Sequence, residues 1–209
     1  MARVAREVAA HRPEEIIKAC RDLYKTMSFQ DISIKDISTR TSISRSAIYN
    51  YFESKEEIFL AILQEEYEHW NKDLLRILQS HKSMTAEGFA QAVGETMDRR
   101  ITLLKIQCMN LYEIEEQCRM DRLIAFKCTY GQVLRTIDQC LCTYFPRIDE
   151  KERLQFRYSF FSFMYGMYPY VFPTKRQQEA MTRAGIMFQE VTISRLAYDC
   201  IRKLLGARQ

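Results

Sequence analysis

Residues that punctuate chains are nearly missing here: 6 Gly and 4 Pro in 209 positions, where average usage would give roughly 25 of the two together. A β-sandwich or barrel needs a turn residue every roughly 8–12 positions, so those folds are excluded. A Gly-rich nucleotide-binding α/β fold is excluded for the same reason. What remains is an all-α chain. A content of 47% hydrophobic and 28% charged residues is that of a globular protein with a real core, not of a disordered one.

Other exclusions follow. No run of about 18 apolar residues exists, so no membrane span is expected. The start, MARVAREVAAHRPEE, lacks the apolar stretch of a signal peptide. Seven cysteines, at 20, 108, 118, 128, 140, 142 and 200, then read as reduced thiols of a cytoplasmic protein. There is no CxxC pair, and His11, His69 and His81 stand at no metal-ligand spacing with them. Neither metal nor cofactor is expected. No Ser/His/Asp pattern or Gly-rich loop suggests an enzyme.

The periodicity predicts helices throughout. Arg3, Arg6, His11 and Arg12 read as an uncapped basic leader, and Pro13 as the first-turn residue of a helix carrying Ile16, Ile17, Cys20, Leu23, Tyr24 and Met27. Ser33 with Asp36 forms a capping box for a helix from Ile34, and Ser44 caps another that buries Ile48 and Phe52. Ser54 with Glu57 opens a long helix to about Ser80. Further helices are expected at 85–105, 107–117, 120–144, 150–172 and 175–205. Residues 1–53 are expected to form one domain and 54–209 a second, with 54–80 connecting them.

Two short helices joined by a tight turn and braced by a preceding helix make a helix-turn-helix, whose second helix enters the DNA major groove. Residues 1–55 hold 10 Lys/Arg against 7 Asp/Glu, most of the chain's net charge of +4, which suits phosphate. With Ile48 and Phe52 turned inward, Arg45, Ser46, Tyr49 and Asn50 fall outward or flanking. Arg45 can pair with guanine O6 and N7 together. Tyr49, Tyr51 and Lys55 can reach phosphate oxygens, as can the backbone N–H groups of the helix starts at Ser33 and Ser44.

The string Ser33-Ile34-Lys35-Asp36-Ile37…Ile48-Tyr49-Asn50-Tyr51-Phe52-Glu53-Ser54-Lys55-Glu56-Glu57 resembles the N-terminal domain of the tetracycline-repressor (TetR) family, over residues 13–63. The resemblance implies a dimeric, ligand-responsive repressor of a palindromic operator. In it Ser33 and Lys35 would touch phosphates, Arg45, Ser46 and Ala47 would face bases, and Tyr49, Tyr51 and Lys55 would grip the backbone. The sequence departs from the family pattern at the turn, where Ser42 replaces Gly. A positive φ there would cost about 1 kcal/mol more than at Gly.

The remainder reads as a sensing and dimerising bundle. FRYSFFSFMYGMYPYVF, residues 156–172, has nine aromatics in 17 positions and should be buried on several sides. By family analogy 150–172 and 175–205 are the dimer helices. Helices 85–144 would enclose a small-molecule pocket with Cys108, Leu111, Tyr112, Phe126, Tyr130, Met164, Tyr165 and Tyr168 as candidate lining, suited to an apolar or aromatic inducer. Two rivals are a thiol-oxidation sensor using Cys140/Cys142 or Cys108/Cys118, and a helical binding protein or enzyme with no role on DNA.

Overall fold

A computed structural model describes residues 2–206, with side chains from His11 onward. Among these residues there are eleven helices and no strand: α1 (Ala2–Tyr24), α2 (Ile34–Ser38), α3 (Arg45–Ile48), α4 (Lys55–Ser80), α5 (Ala86–Asp98), α6 (Ile101–Met109), α7 (Leu111–Gln117), α8 (Met120–Tyr144), α9 (Glu150–Val171), α10 (Lys175–Arg183) and α11 (Ile193–Leu205). None is long and apolar enough to cross a membrane. The chain forms two compact units, residues 1–65 with 110–128, and residues 66–109 with 129–209. The division falls inside α4 and inside α8.

The first unit is built on α1. That helix starts well before Pro13, which stands inside it and removes one backbone hydrogen bond. The expected uncapped leader is therefore helical; the side chains of Arg3 and Arg6 lie outside the described residues. Ile16, Cys20, Ile37, Ile48, Ile58 and Phe59 are fully buried. Phe59 of α4 takes the edges of Tyr24 and Phe29, with ring centroids 4.9 and 4.8 Å away.

In the second unit α11 packs on α5 so closely that a Cβ at Gly94 would lie 2.7 Å from the Ser194 carbonyl oxygen. Ser194 N–H also donates to Asp98 Oδ1 at 2.9 Å. Trp70 of α4 donates its indole N–H to Thr96 of α5 at 3.0 Å, and Tyr144 of α8 donates to the Ile77 carbonyl at 2.9 Å.

Three expected helices are interrupted. The stretch 85–105 breaks at Arg99 and Arg100, where the Arg100 guanidinium pairs with Asp73 of α4, its Nη2 2.6 Å from Oδ2. The stretch 107–117 breaks at Asn110, whose Oδ1 accepts the Tyr24 hydroxyl at 3.1 Å. The stretch 175–205 ends early at Gly185, where φ is +71°. Gly185 N–H donates to Thr182 and Ile186 N–H to Met181, the paired bonds of a Schellman cap. Residues 187–191 have no regular secondary structure before Thr192 caps α11.

The aromatic helix α9 is not buried all round. Phe156, Phe160, Phe161, Met164 and Met167 are inside, while Leu154, Tyr158, Phe163, Tyr165 and Tyr170 are exposed.

Candidate nucleic-acid interface

The serines start both short helices as the sequence predicts. Ser33 Oγ accepts from Asp36 N–H and Ser44 Oγ from Ala47 N–H, each at 3.3 Å. At α2 the box closes, Asp36 accepting from Ser33 N–H at 2.9 Å. The Ser33 hydroxyl and then its backbone N–H hold the Asp36 carboxyl below its ordinary range.

Ile48 and Phe52 are buried. Arg45, Ser46 and Asn50 are exposed, Tyr49 is 45% exposed, and Ala47 is half-buried at the edge of the same surface. Ser33, Lys35 and Ser44 are exposed too. A polar, cation-bearing helix start is thus presented to solvent over an apolar anchor. That arrangement can place a guanidinium and short hydroxyls against base edges and backbone N–H groups against phosphate.

Two assigned residues point inward in part. Lys55 donates Nζ to the Phe29 carbonyl at 2.8 Å and lies 4.3 Å over the Phe29 ring, so one of its three donors is bound within the unit. Tyr51 is half-buried, and its carbonyl accepts from Arg122 Nη2 at 3.1 Å.

The turn between α2 and α3 is held by a residue that sequence reasoning passed over. Glu15 of α1 accepts Ser42 N–H at 2.6 Å through Oε1 and the Ser42 hydroxyl at 3.1 Å through Oε2. No non-Gly residue among those described has a positive φ. The strain expected at Ser42 is therefore not there, and the hydroxyl supplies a bond that Gly would lack.

A second clamp fixes the exit of α3 into α4. Glu57, in the first turn of α4, is 2% exposed. Arg119, between α7 and α8, meets it with Nε 2.6 Å from Oε1 and Nη2 2.9 Å from Oε2. Glu53 N–H also donates to Oε2 at 2.9 Å. Burial pushes the Glu57 carboxyl up, but Arg119 and the two backbone N–H groups outweigh it, and the net direction is down. Arg122 of the same segment lies over the Phe52 ring. Arg119 and Arg122 follow Glu57 and Tyr51 by more than 60 residues, and no local pattern signals such pairs.

The candidate lining residues of the second domain do not share one environment. Met164 is buried in the second unit and Cys108, Tyr130 and Tyr168 half-buried there. Phe126 is buried and Leu111 half-buried in the first unit. Tyr112, at 88% exposed, and Tyr165, at 44%, lie on the surface. Two apolar grooves in the second unit, about 880 and 660 Å³, are lined in part by residues 186–192 and share Phe188 and Val191.

Three of the four thiols weighed for sensing are buried or half-buried. Burial pushes Cys118 and Cys140 up to about 12, and raises Cys108. Each pair weighed for sensing thus holds a thiol whose burial disfavours the reactive thiolate.

Residues 16–62 match a family model described as bacterial regulatory proteins, tetR family, and residues 64–201 one described as tetracyclin repressor-like, C-terminal domain. The dhaKLM operon transcriptional activator DhaS of Lactococcus lactis subsp. lactis (strain IL1403) is 31% identical over 74 residues, which are 31% of this chain and 40% of that protein. The match therefore spans less than half of that relative. The fatty acid degradation regulator FadR of Bacillus halodurans superposes with a TM-score of 0.61 at 14% identity, over 94% of this chain and 99% of that one. Thermus thermophilus FadR, a repressor solved with lauroyl-CoA, gives 0.54 at 16% identity, over 94% of each chain. Both structures have the fold described above.

Proposed function

Since this chain belongs to the tetR family of bacterial regulatory proteins, whose members are helix-turn-helix transcription regulators, we propose that it works in the cytoplasm as a homodimeric repressor of a palindromic operator. A small apolar or aromatic ligand in the C-terminal domain releases it. Residues 1–53 read DNA, and residues 54–209 bind ligand and partner, with 54–80 connecting them. Arg45, Ser46 and Ala47 face bases with Asn50 beside them. Ser33, Lys35, Ser44, Tyr49, Tyr51 and Lys55 serve the phosphate backbone, Lys55 with the donors left free by Phe29.

The observation that carries this reading is the outward set Arg45, Ser46, Tyr49 and Asn50, on α3 and the turn that follows its end at Ile48, anchored by Ile48 and Phe52. A two-fold dimer sets two such helices about one DNA turn apart. The exposed stripe Leu154, Tyr158 and Tyr165 on α9 supplies apolar surface for the partner.

Release needs a ligand that binds one conformer better than the one that fits DNA. Both α4 and α8 carry residues of each unit, and within the first unit Arg119, just before α8, pairs with Glu57 of α4 while Arg122 of α8 donates to the Tyr51 carbonyl in the α3–α4 corner. A ligand-driven change in α8 would act on the reading helix through these contacts at the α3–α4 corner.

The test is binding of the full chain to DNA from its own upstream region, followed by fluorescence anisotropy at several salt concentrations. A specific complex whose log K falls steeply with log salt is expected. Equal affinity for unrelated DNA at every salt concentration would overturn the reading.

A further inference from the structure

Gln107 of α6 is an unusual residue to find in the core of the second unit. It is 2% exposed. Its Oε1 accepts the Tyr67 hydroxyl at 3.2 Å, while its Nε2 has no hydrogen-bond partner among the described residues. Native cores rarely leave a buried amide donor in that condition, because it has lost water and gained nothing.

The surroundings of this amide are equally specific. Its partner Tyr67 belongs to a closed circuit of four rings: Tyr67 meets Tyr130 at 5.5 Å, Tyr130 meets Phe161 at 5.7 Å, Phe161 meets Trp70 at 5.8 Å, and Trp70 meets Tyr67 at 6.2 Å. The rings come from α4, α8 and α9. Trp70, Tyr67 and Phe161 are buried, whereas Tyr130 is half-buried and forms the side open to solvent. A donor with no acceptor, at the edge of an aromatic wall with one accessible side, is the pattern of a site that orients a ligand by a single polar contact.

We propose that Gln107 is the specificity-determining residue of the inducer site, and that the inducer is a flat, ring-bearing molecule whose carbonyl oxygen accepts from Gln107 Nε2 while its rings stack among Tyr67, Tyr130 and Phe161. The proposal rests on the ligand-responsive reading above and names the ligand class for it. The free protein tolerates the unpaired donor because the bound ligand uses it. A site built around a buried donor discriminates strongly against an analogue that lacks the acceptor.

A matched pair of probes tests this: 2-acetylnaphthalene and 2-ethylnaphthalene, nearly equal in shape, of which only the first has a carbonyl. Binding to the full chain is measured by calorimetry, with Trp70, the only tryptophan, as a fluorescent reporter. The wild type should bind the ketone at least about tenfold more tightly than the hydrocarbon, and Gln107→Leu should bind both alike. Failure of both probes to bind, a ratio near one in the wild type, or a ratio that survives in Gln107→Leu overturns the inference. Salt-dependent operator binding without ligand is measured separately and is untouched by those results.

Stability supplies an independent readout. Replacing both partners of a buried hydrogen bond by apolar groups of similar shape is nearly neutral or stabilising when one partner was half-satisfied. Tyr67→Phe combined with Gln107→Leu should therefore melt at or above the wild-type temperature. A clear fall would make the Gln107 amide a structural element of the core and would overturn its assignment to ligand.

Discussion

Arg119 and Glu57 stand 62 residues apart and meet as a two-pronged pair, with the carboxylate buried and the guanidinium partly open to solvent. Removing the arginine leaves an acid inside the first unit with only backbone donors. Arg119→Ala should therefore lower stability by about 1.5–3 kcal/mol, as read by urea unfolding. The pH dependence follows from the lowered Glu57 carboxyl. A folded-state value below the ordinary 4.5 contributes stability that is present above that pH and is lost as pH falls through the folded value. Arg119→Ala should flatten this loss. An unchanged acid transition would show that the pair does not hold the unit together.

Arg45 is exposed at the start of α3. Arg45→Ala should weaken operator binding by about 1–3 kcal/mol and relax preference at one base pair, leaving the melting temperature unchanged. Lys35→Ala should instead weaken all DNA equally and reduce the salt slope by about one. Anisotropy against a set of singly substituted operators separates the two outcomes.

Ser42 stands where the family pattern has Gly, yet its backbone needs no left-handed conformation. Ser42→Gly, the change toward the family pattern, should thus destabilise the chain by about 0.5–1 kcal/mol, losing the hydroxyl bond to Glu15 and freeing the unfolded backbone. A rise in melting temperature would contradict this account of the turn.

Gly94 lies at the closest approach of α5 to α11, where an added Cβ would come within 2.7 Å of a backbone oxygen. Gly94→Ala cannot be relieved by a side-chain rotation and should cost about 1–3 kcal/mol. Thermal unfolding checks it, with Gly166→Ala, where nothing lies within 4 Å of the added atom, as the control expected to be neutral or better.

Leu154, Tyr158 and Tyr165 share one exposed face of α9. If this face meets a second copy, Leu154→Asp with Tyr158→Asp should convert the dimer to a monomer in sedimentation. Operator affinity should then fall steeply, because one subunit holds only one reading helix on the DNA. A variant that sediments as wild type would move the interface elsewhere.

What the sequence made legible was whatever local chemistry decides. The caps at Ser33, Ser44 and Ser54 act on residues three positions away, so they read correctly, as did α8 over 120–144. The breaks escaped notice because the partners found at them are remote in sequence: Arg100 pairs with Asp73, and Asn110 accepts from Tyr24. At Gly185 the residue was visible, but helical periodicity on both sides hid the stop. The outward set on α3 followed from Ile48 and Phe52 alone. The inward bond of Lys55 to Phe29, and the Glu15 clamp on Ser42, join residues 26 and 27 positions apart and leave no trace in local spacing.

Residues 110–128 belong to the same compact unit as the first 65 residues, and this governs how the reading head can be exchanged. A fragment ending after residue 65 would be cut within a helix and stripped of both arginines that hold the α3–α4 corner. Chimeras that graft this head onto another sensor must carry the second segment with it. Recombination that swaps only the N-terminal third would deliver a headpiece with an orphaned acid at its hinge, so the specificity of this regulator is inherited as two separate stretches of gene.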